Sequence, residues 1–181
     1  FKYKEVLGLN VIQIKEEGEE MELVIENAMA IINLYPDIFP HMYKQGFKLV
    51  SRIQEGNIVL QDGVVITFHQ YSGRTPVTRN SMVKSKAKGF MIHQIASDLS
   101  TKGNTKTVLD EFVIWCKEQG APEILLSVRA FNDRARAFYE RYGFEYVEKT
   151  HWHKKGEDDI PGIIYRLPLQ EIDAEKFFTF N

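Results

Sequence analysis

Between residues 90 and 128 the chain reads as strand, helix and buried strand, and this order limits the fold more than any other feature of the sequence. Residues 90–96 have a strand's composition, and residues 103–119 carry one apolar helical stripe, Val108, Leu109, Phe112, Val113 and Cys116. Gly120 offers a C-cap, Pro122 prevents continuation, and residues 123–128 follow as a strand apolar enough to be buried on both faces. Two strands joined by a helix of this length lie parallel, and the crossover is right-handed.

The flanking segments add antiparallel structure. Residues 6–15 alternate as a strand does. The acidic cluster Glu16, Glu17, Glu19 and Glu20 then opens a helix striped by Met21, Val24, Ile25, Ala28, Ile31 and Ile32, and Pro36 ends it. A second helix is expected over 38–54, with Met42, Tyr43, Phe47, Val50 and Ile53 on its apolar side and Gly56 as cap. Residues 57–61 and 64–71 flank Asp62-Gly63, a two-residue hairpin signal. A helix beginning at Asn132 and strands at 145–152 and 162–168 complete the pattern. The expected class is α/β in the α+β sense: a mostly antiparallel central sheet with one parallel βαβ unit, flanked by helices. One domain over 1–181 is expected for a chain of 181 residues that is 44% hydrophobic.

Charge excludes some partners. The 23 basic and 25 acidic side chains are mixed along the chain and give a formal net charge of -2, which argues against a nucleic-acid-binding tail or a polybasic membrane segment. No apolar run approaches the 18 or so residues of a spanning helix, so no membrane partner is expected. The first residues lack a signal peptide's charged and apolar regions. The single cysteine, Cys116, cannot form an internal disulfide and suits a reducing compartment, so a cytoplasmic location is expected. On the core side of its helix Cys116 reads as a small buried hydrophobe, not a nucleophile. The apolar tail with Phe177, Phe178 and Phe180 is expected to pack back on the core or to meet a second copy in a homodimer.

Two stretches carry candidate chemistry. In Ala130-Phe-Asn-Asp-Arg-Ala-Arg-Ala-Phe-Tyr-Glu-Arg-Tyr-Gly-Phe144, the cap residue Asn132 stands two turns before Tyr139. An ideal helix places the two within about 20° of one direction and ~10 Å apart along the axis. The apolar stripe Ala135, Phe138 and Tyr142 lies to one side, which puts Tyr139 on the rim of the buried face. The second stretch runs from residue 97 to 106. Here a strand passes through Ser100, Thr101, Lys102 and Gly103 into a helix starting with Asn104, Thr105 and Lys106. Read by itself this is either ordinary capping chemistry or a cradle of free backbone N–H groups for an anion, with Lys102 and Lys106 beside it.

Taken together, the order strand, Gly-containing loop, helix, strand, then Asn132, Ala135, Phe138, Tyr139, Gly143 and Phe144 resembles the Gcn5-related N-acetyltransferase (GNAT) superfamily over about 57–169. In that family the loop reads Gln or Arg, two residues, Gly, one residue, then Gly or Ala. Here Ser100, Gly103 and Thr105 occupy those places, so only the glycine matches, and the Cβ of Thr105 narrows the approach of a pyrophosphate. The resemblance implies a GNAT-like fold that binds acetyl-CoA, or another acyl-CoA, as co-substrate between two splayed parallel strands. It puts the pyrophosphate on the amides of Thr101, Lys102, Gly103, Asn104, Thr105 and Lys106, and the pantetheine arm beside Ile95, whose N–H would polarise the thioester. Asn132 would bond the arm, and Tyr139 would act as general acid to the leaving sulfur.

The implied activity is direct transfer of an acetyl group to an amine, with a small molecule or a peptide as acceptor and no metal. The alternative, suggested by the degenerate loop, is a CoA-sensing or protein-interaction module of the same fold without catalysis. The basic connection 72–88, with Arg74, Arg79, Lys84, Lys86 and Lys88, is either a solvated loop or a surface for the cofactor or an acceptor such as a nucleobase or a protein terminus. His69 and His93 are open candidates for the base that the amine requires. His151 and His153 share a strand face but lack a third ligand, and Glu157, Asp158 and Asp159 read as a solvated turn.

Overall fold

The computed structural model describes residues 2–6, 9–13, 19–35, 57–71, 88–98, 104–152 and 160–169. Its strands are β1 (Lys2–Val6), β2 (Leu9–Gln13), β3 (Asn57–Gln61), β4 (Val64–Gln70), β5 (Phe90–Ser97), β6 (Glu123–Arg129), β7 (Glu145–Trp152) and β8 (Ile160–Pro168). The helices are α1 (Glu19–Ile32), α2 (Asn104–Glu118) and α3 (Asp133–Tyr142). The strands follow the order β1-β2-β3-β4-β5-β6-β8-β7 in a mixed sheet with one parallel pair, the class expected from the sequence. Two compact units are distinguished, Phe1–His69 with Ile92–Trp115 and Gln70–Met91 with Cys116–Asn181. The helix expected over 38–54, most of the 72–88 connection and the apolar tail lie outside the described residues.

The first unit is built on hairpins. Strands β3 and β4 pair antiparallel with Gln61 opposite Val64, and the turn residues Asp62 and Gly63 have φ of 50° and 75°. Two successive positive φ values are the primed turn whose twist matches the strands, which explains why Asp-Gly sits there. The strand expected over 6–15 is β2, from Leu9 to Gln13, and a further strand that the sequence reading did not foresee, β1, ends at Val6 and pairs with it antiparallel, Lys2 opposite Gln13. Gly8, two residues past Val6, was the available turn signal. On α2, Val108, Leu109, Phe112 and Trp115 are buried, while Val113 is only half-buried. Trp115 takes the core place expected for Val113 because Phe68 of β4 offers it an aromatic partner. The Phe68 ring lies 4.8 Å from Phe112 and 5.6 Å from Trp115, centroid to centroid.

The second unit carries β6, β8 and β7. The β6/β8 ladder runs without interruption from Glu123 opposite Pro168 to Arg129 opposite Gly162, and β7 pairs β8 antiparallel with an irregularity between Tyr146 and Glu148. Helix α2 ends in this unit: Gly120 N–H donates to Lys117 O at 2.9 Å and Ala121 N–H to Cys116 O at 3.1 Å. These are the paired bonds of a Schellman motif, closed by the buried Cys116 and Ala121. Burial pushes the Cys116 thiol well up from its ordinary range, so the reactive thiolate is disfavoured at neutral pH. The native protein is therefore expected to show no reaction with a thiol reagent such as Ellman's within minutes, and one equivalent of reaction in guanidinium; full reaction before unfolding would contradict the packing.

Candidate active site

Helix α3 and its two caps form the best-defined part of the site. Asn132 is the N-cap: its side-chain Oδ1 accepts from Ala135 N–H at 3.3 Å, and Arg136 N–H donates to its backbone carbonyl at 3.0 Å. The cap uses the amide oxygen, and the Asn132 Nδ2 has no hydrogen-bond partner among the described residues. At the other end Gly143, with φ 118°, donates to Glu140 O at 3.2 Å while Phe144 N–H donates to Tyr139 O at 3.0 Å. This is a second Schellman motif, and its usual apolar contact is the Phe144 ring against the Tyr139 ring, 5.5 Å apart at 65°. The Tyr-x-x-x-Gly-Phe spacing is thus a clamp on Tyr139.

A side chain at position 143 would meet no backbone, since an added Cβ would lie 3.8 Å from Leu167 Cδ1. The cost of Gly143→Ala is therefore the left-handed backbone alone, about 1–2 kcal/mol. Chemical denaturation should show a loss of that size with an unchanged m-value. A loss under ~0.3 kcal/mol would mean that the turn is not held as described.

Tyr139 is not on the rim of α3, as the sequence suggested, but is its one buried residue, 6% exposed, whereas Ala135, Phe138 and Tyr142 are half-buried. The helix is rotated because the aromatics waiting beneath it are Phe144 and Tyr165, and Tyr139 is the ring that meets both; the Tyr139 and Tyr165 centroids are 6.3 Å apart. Phe138 packs edge-on against Tyr139 at 5.6 Å and leans toward Tyr142. Polar bonds fix the same orientation. The Tyr165 hydroxyl donates to Glu140 Oε1 at 2.8 Å and accepts from Arg136 Nε at 3.4 Å, and Arg136 Nη1 donates to Ala130 O at 3.1 Å. The Tyr139 hydroxyl, by contrast, has no hydrogen-bond partner among the described residues. Burial raises its pKa, which keeps the phenol neutral and its O–H available as a donor.

The other candidates lie in the first unit. Ile95 is half-buried on β5. Helix α2 begins at Asn104, so the N–H groups of Asn104, Thr105 and Lys106 belong to a first turn that has no intrahelical acceptors and no acidic side chain. The hairpin turn holds both flanks of the preceding segment: Asp98 N–H donates to Gly63 O at 2.7 Å and Asn104 Nδ2 to Asp62 O at 3.0 Å. This use of the Asp-Gly turn could not be read from the sequence. The Lys106 ammonium, expected to face an anion, pairs instead with Asp110 at 2.9 Å, one turn along the exposed face. Such exposed pairs contribute little, so the ammonium is not committed to that carboxylate. Thr101, Lys102 and Gly103 lie outside the described residues.

His69 on β4 and His93 on β5 are brought directly together, with His69 Nδ1 2.5 Å from His93 Nε2 and the rings stacked at 4.6 Å and 13°. One step along, the Thr67 hydroxyl donates to Gln94 Oε1, and Gln94 N–H donates to Thr67 Oγ1 at 3.1 Å. By strand alternation Thr67 and His69 share a face of β4. His151 is exposed and His153 lies outside the described residues. Among the described residues, no group of three or more His, Cys, Asp or Glu side chains is placed to hold a metal ion, and no helix is long and apolar enough to cross a membrane.

Residues 94–144, which run from β5 through α3, match the model of the acetyltransferase (GNAT) family. Solved structures align over most of the chain. A probable acetyltransferase from Staphylococcus epidermidis is 13% identical with a TM-score of 0.61, covering 88% of this chain and 98% of its own. Naa20 of Chaetomium thermophilum, solved with a bisubstrate analogue, is 18% identical with a TM-score of 0.59, over 88% and 86%. Arabidopsis thaliana NAA60, solved with acetyl-CoA, is 15% identical with a TM-score of 0.56, over 89% and 99%. No curated protein matches the chain. The sequence resemblance is therefore found independently: residues 94–144 match the GNAT family model, and the fold is that of solved GNAT acetyltransferases.

Proposed function

We propose that the protein transfers an acetyl group from acetyl-CoA to an amine, with Tyr139 donating a proton to the departing CoA sulfur. The observation that carries this reading is the Tyr139 hydroxyl: its ring is clamped by Phe144 and the helix C-cap, while its O–H has no partner among the described residues. A ring held this firmly, with a hydroxyl bonded to no described residue, is consistent with a ligand as the partner of that hydroxyl. Asn132 supports the same reading from the other end of α3, since its Nδ2 remains available to a carbonyl of the pantetheine arm. The α2 N-terminus supplies amides and an uncompensated dipole suited to a phosphate, and the N–H of Ile95 is assigned to the thioester oxygen.

The chemistry is consistent with these assignments. As the amine attacks, charge grows first on the thioester oxygen and then on sulfur. A free thiolate is a weaker base than a free phenolate, ~8.5 against ~10 in pKa. Desolvation raises both, so the buried phenol is at no further disadvantage once the sulfur is enclosed beside it. Peptide amines are the favoured acceptors, because the NatC complex, solved with a Gag peptide and CoA, has a similar fold. The test is release of CoA thiol from acetyl-CoA by the purified chain with a mixture of short peptides and small primary amines. Turnover above the no-enzyme rate is expected. Binding of acetyl-CoA without release would favour a CoA-sensing module.

A further inference from the structure

We propose that Tyr165 is a positioning residue: its hydroxyl fixes the rotation of α3 and thereby the place of the Tyr139 O–H. The inference rests on the reading of Tyr139 as the acid and adds to it what holds that acid in place. Two phenols lie together here, with ring centroids 6.3 Å apart. The Tyr165 hydroxyl donates its proton to Glu140 Oε1 at 2.8 Å, while its oxygen accepts from Arg136 Nε at 3.4 Å. The Tyr139 hydroxyl has no hydrogen-bond partner among the described residues. The bond that Tyr165 already makes leaves it a poor proton donor to a ligand, and its part is mechanical.

The grip is placed to set the rotation of the helix. Arg136 and Glu140, four residues apart, project within about 40° of one direction and ~6 Å apart along the axis, and Tyr139 projects about 60° round from Arg136. One hydroxyl bonded to both side chains therefore holds α3 along a line beside the acid. The anchor is firm: Tyr165 is fully buried, and β8 is paired there on both sides, with Leu126 of β6 and Tyr146 of β7. Arg136 extends the hold to the N-cap, since its Nη1 donates to Ala130 O, two residues before Asn132. The effect of a slip is large, because a rotation of about 20° carries a group ~9 Å from the helix axis through about 3 Å. A misplacement of ~1 Å is enough to cost on the order of 100-fold in rate. Every group named here belongs to the second unit.

The experiment compares the wild type with Tyr165→Phe, Tyr139→Phe, the double variant, Glu140→Ala and Glu140→Gln. Thiol release from acetyl-CoA with a mixture of short peptides and small primary amines gives kcat, titration calorimetry gives acetyl-CoA affinity, and melting curves show that each variant is folded. Tyr165→Phe keeps the ring, and Phe144 still clamps Tyr139, so a loss of about 10-fold in kcat is expected, below what a full 1 Å slip costs. Acetyl-CoA affinity should stay within twofold. In the Tyr139→Phe background the same change should alter kcat by less than twofold, because Tyr165 acts only through the hydroxyl already removed. A merely structural loss would be the same in both backgrounds. Glu140→Ala should match Tyr165→Phe, while Glu140→Gln, which keeps an oxygen to accept from Tyr165, should recover at least threefold. Glu140 is exposed, so that pair decides the matter if Tyr165→Phe fails to fold. A Tyr165→Phe loss under threefold, an equal loss in both backgrounds, or a Glu140→Gln no faster than Glu140→Ala overturns the positioning role and leaves the acetyl-transfer reading intact. A wild-type chain that releases no thiol, or a Tyr139→Phe with kcat within threefold of wild type, overturns the acid and this inference together.

Discussion

Replacing Gly89 with alanine is expected to be the most damaging single change in the described core. A Cβ built there would lie 2.1 Å from the Tyr71 hydroxyl oxygen, 2.7 Å from Tyr71 Cζ and 2.6 Å from the backbone carbonyl of Glu123. The Tyr71 ring is buried with Met91 and Leu125, so displacing it disturbs that cluster. The Glu123 carbonyl starts β6 and cannot move without dragging the strand, and Tyr71 N–H is tied to Gly89 O at 3.1 Å. Overpacking of this severity costs about 3 kcal/mol or more, a large share of the stability of a small protein. Thermal melting should fall by roughly 6–12 °C. A melting point within 2 °C of wild type would show that the backbone at Gly89 does not approach β6 as described.

Tyr139→Phe is expected to have the largest effect on activity and almost none on folding. The ring contacts to Phe144, Phe138 and Tyr165 remain, and no hydrogen bond from the hydroxyl to a described residue is lost. Stability should therefore change by less than about 0.5 kcal/mol. If the hydroxyl protonates the CoA sulfur, kcat should drop by ~10²–10⁴ while acetyl-CoA still binds. The buried phenol stays neutral on the alkaline side, so the acid itself should impose no loss of rate between pH 7 and 9. A Phe variant with kcat within threefold of wild type would remove Tyr139 from the chemistry and leave it as a core aromatic.

These two positions also show what the sequence could and could not tell. Asp62-Gly63, Gly120 with Pro122, and Gly143 with Phe144 were legible because turns and caps are local: the backbone angles they require are properties of the residues themselves. The crossover from β5 through α2 to β6 was legible from period and length. The orientation of α3 was not, because Phe138 is the more apolar ring and only the presence of Tyr165 and Phe144 beneath the helix turns Tyr139 inward. Trp115 displaced Val113 for the same reason, a partner ring on another element. The contact between His69 and His93 joins two different strands, which no pattern along either one announces. The role of Gly89 lies wholly in what approaches it, which its own neighbours in the sequence do not reveal.

For the candidate site the division is similar. Asn132 and Tyr139 were named from spacing and lie on one helix with an amide nitrogen and a hydroxyl that no described residue occupies. Lys106 was named from charge, and charge alone could not foresee Asp110 one turn away taking it up. The hairpin turn that holds Asp98 and Asn104 was invisible because it links residues about 40 positions apart through backbone carbonyls, which carry no sequence signature.

The central claim is that this chain binds acetyl-CoA, and titration calorimetry of the purified protein with acetyl-CoA tests it most directly. The account predicts one site per chain with a dissociation constant in the micromolar range, −8.2 kcal/mol at 1 μM. No heat of binding at millimolar acetyl-CoA, from a protein shown to be folded by its melting curve, would contradict it.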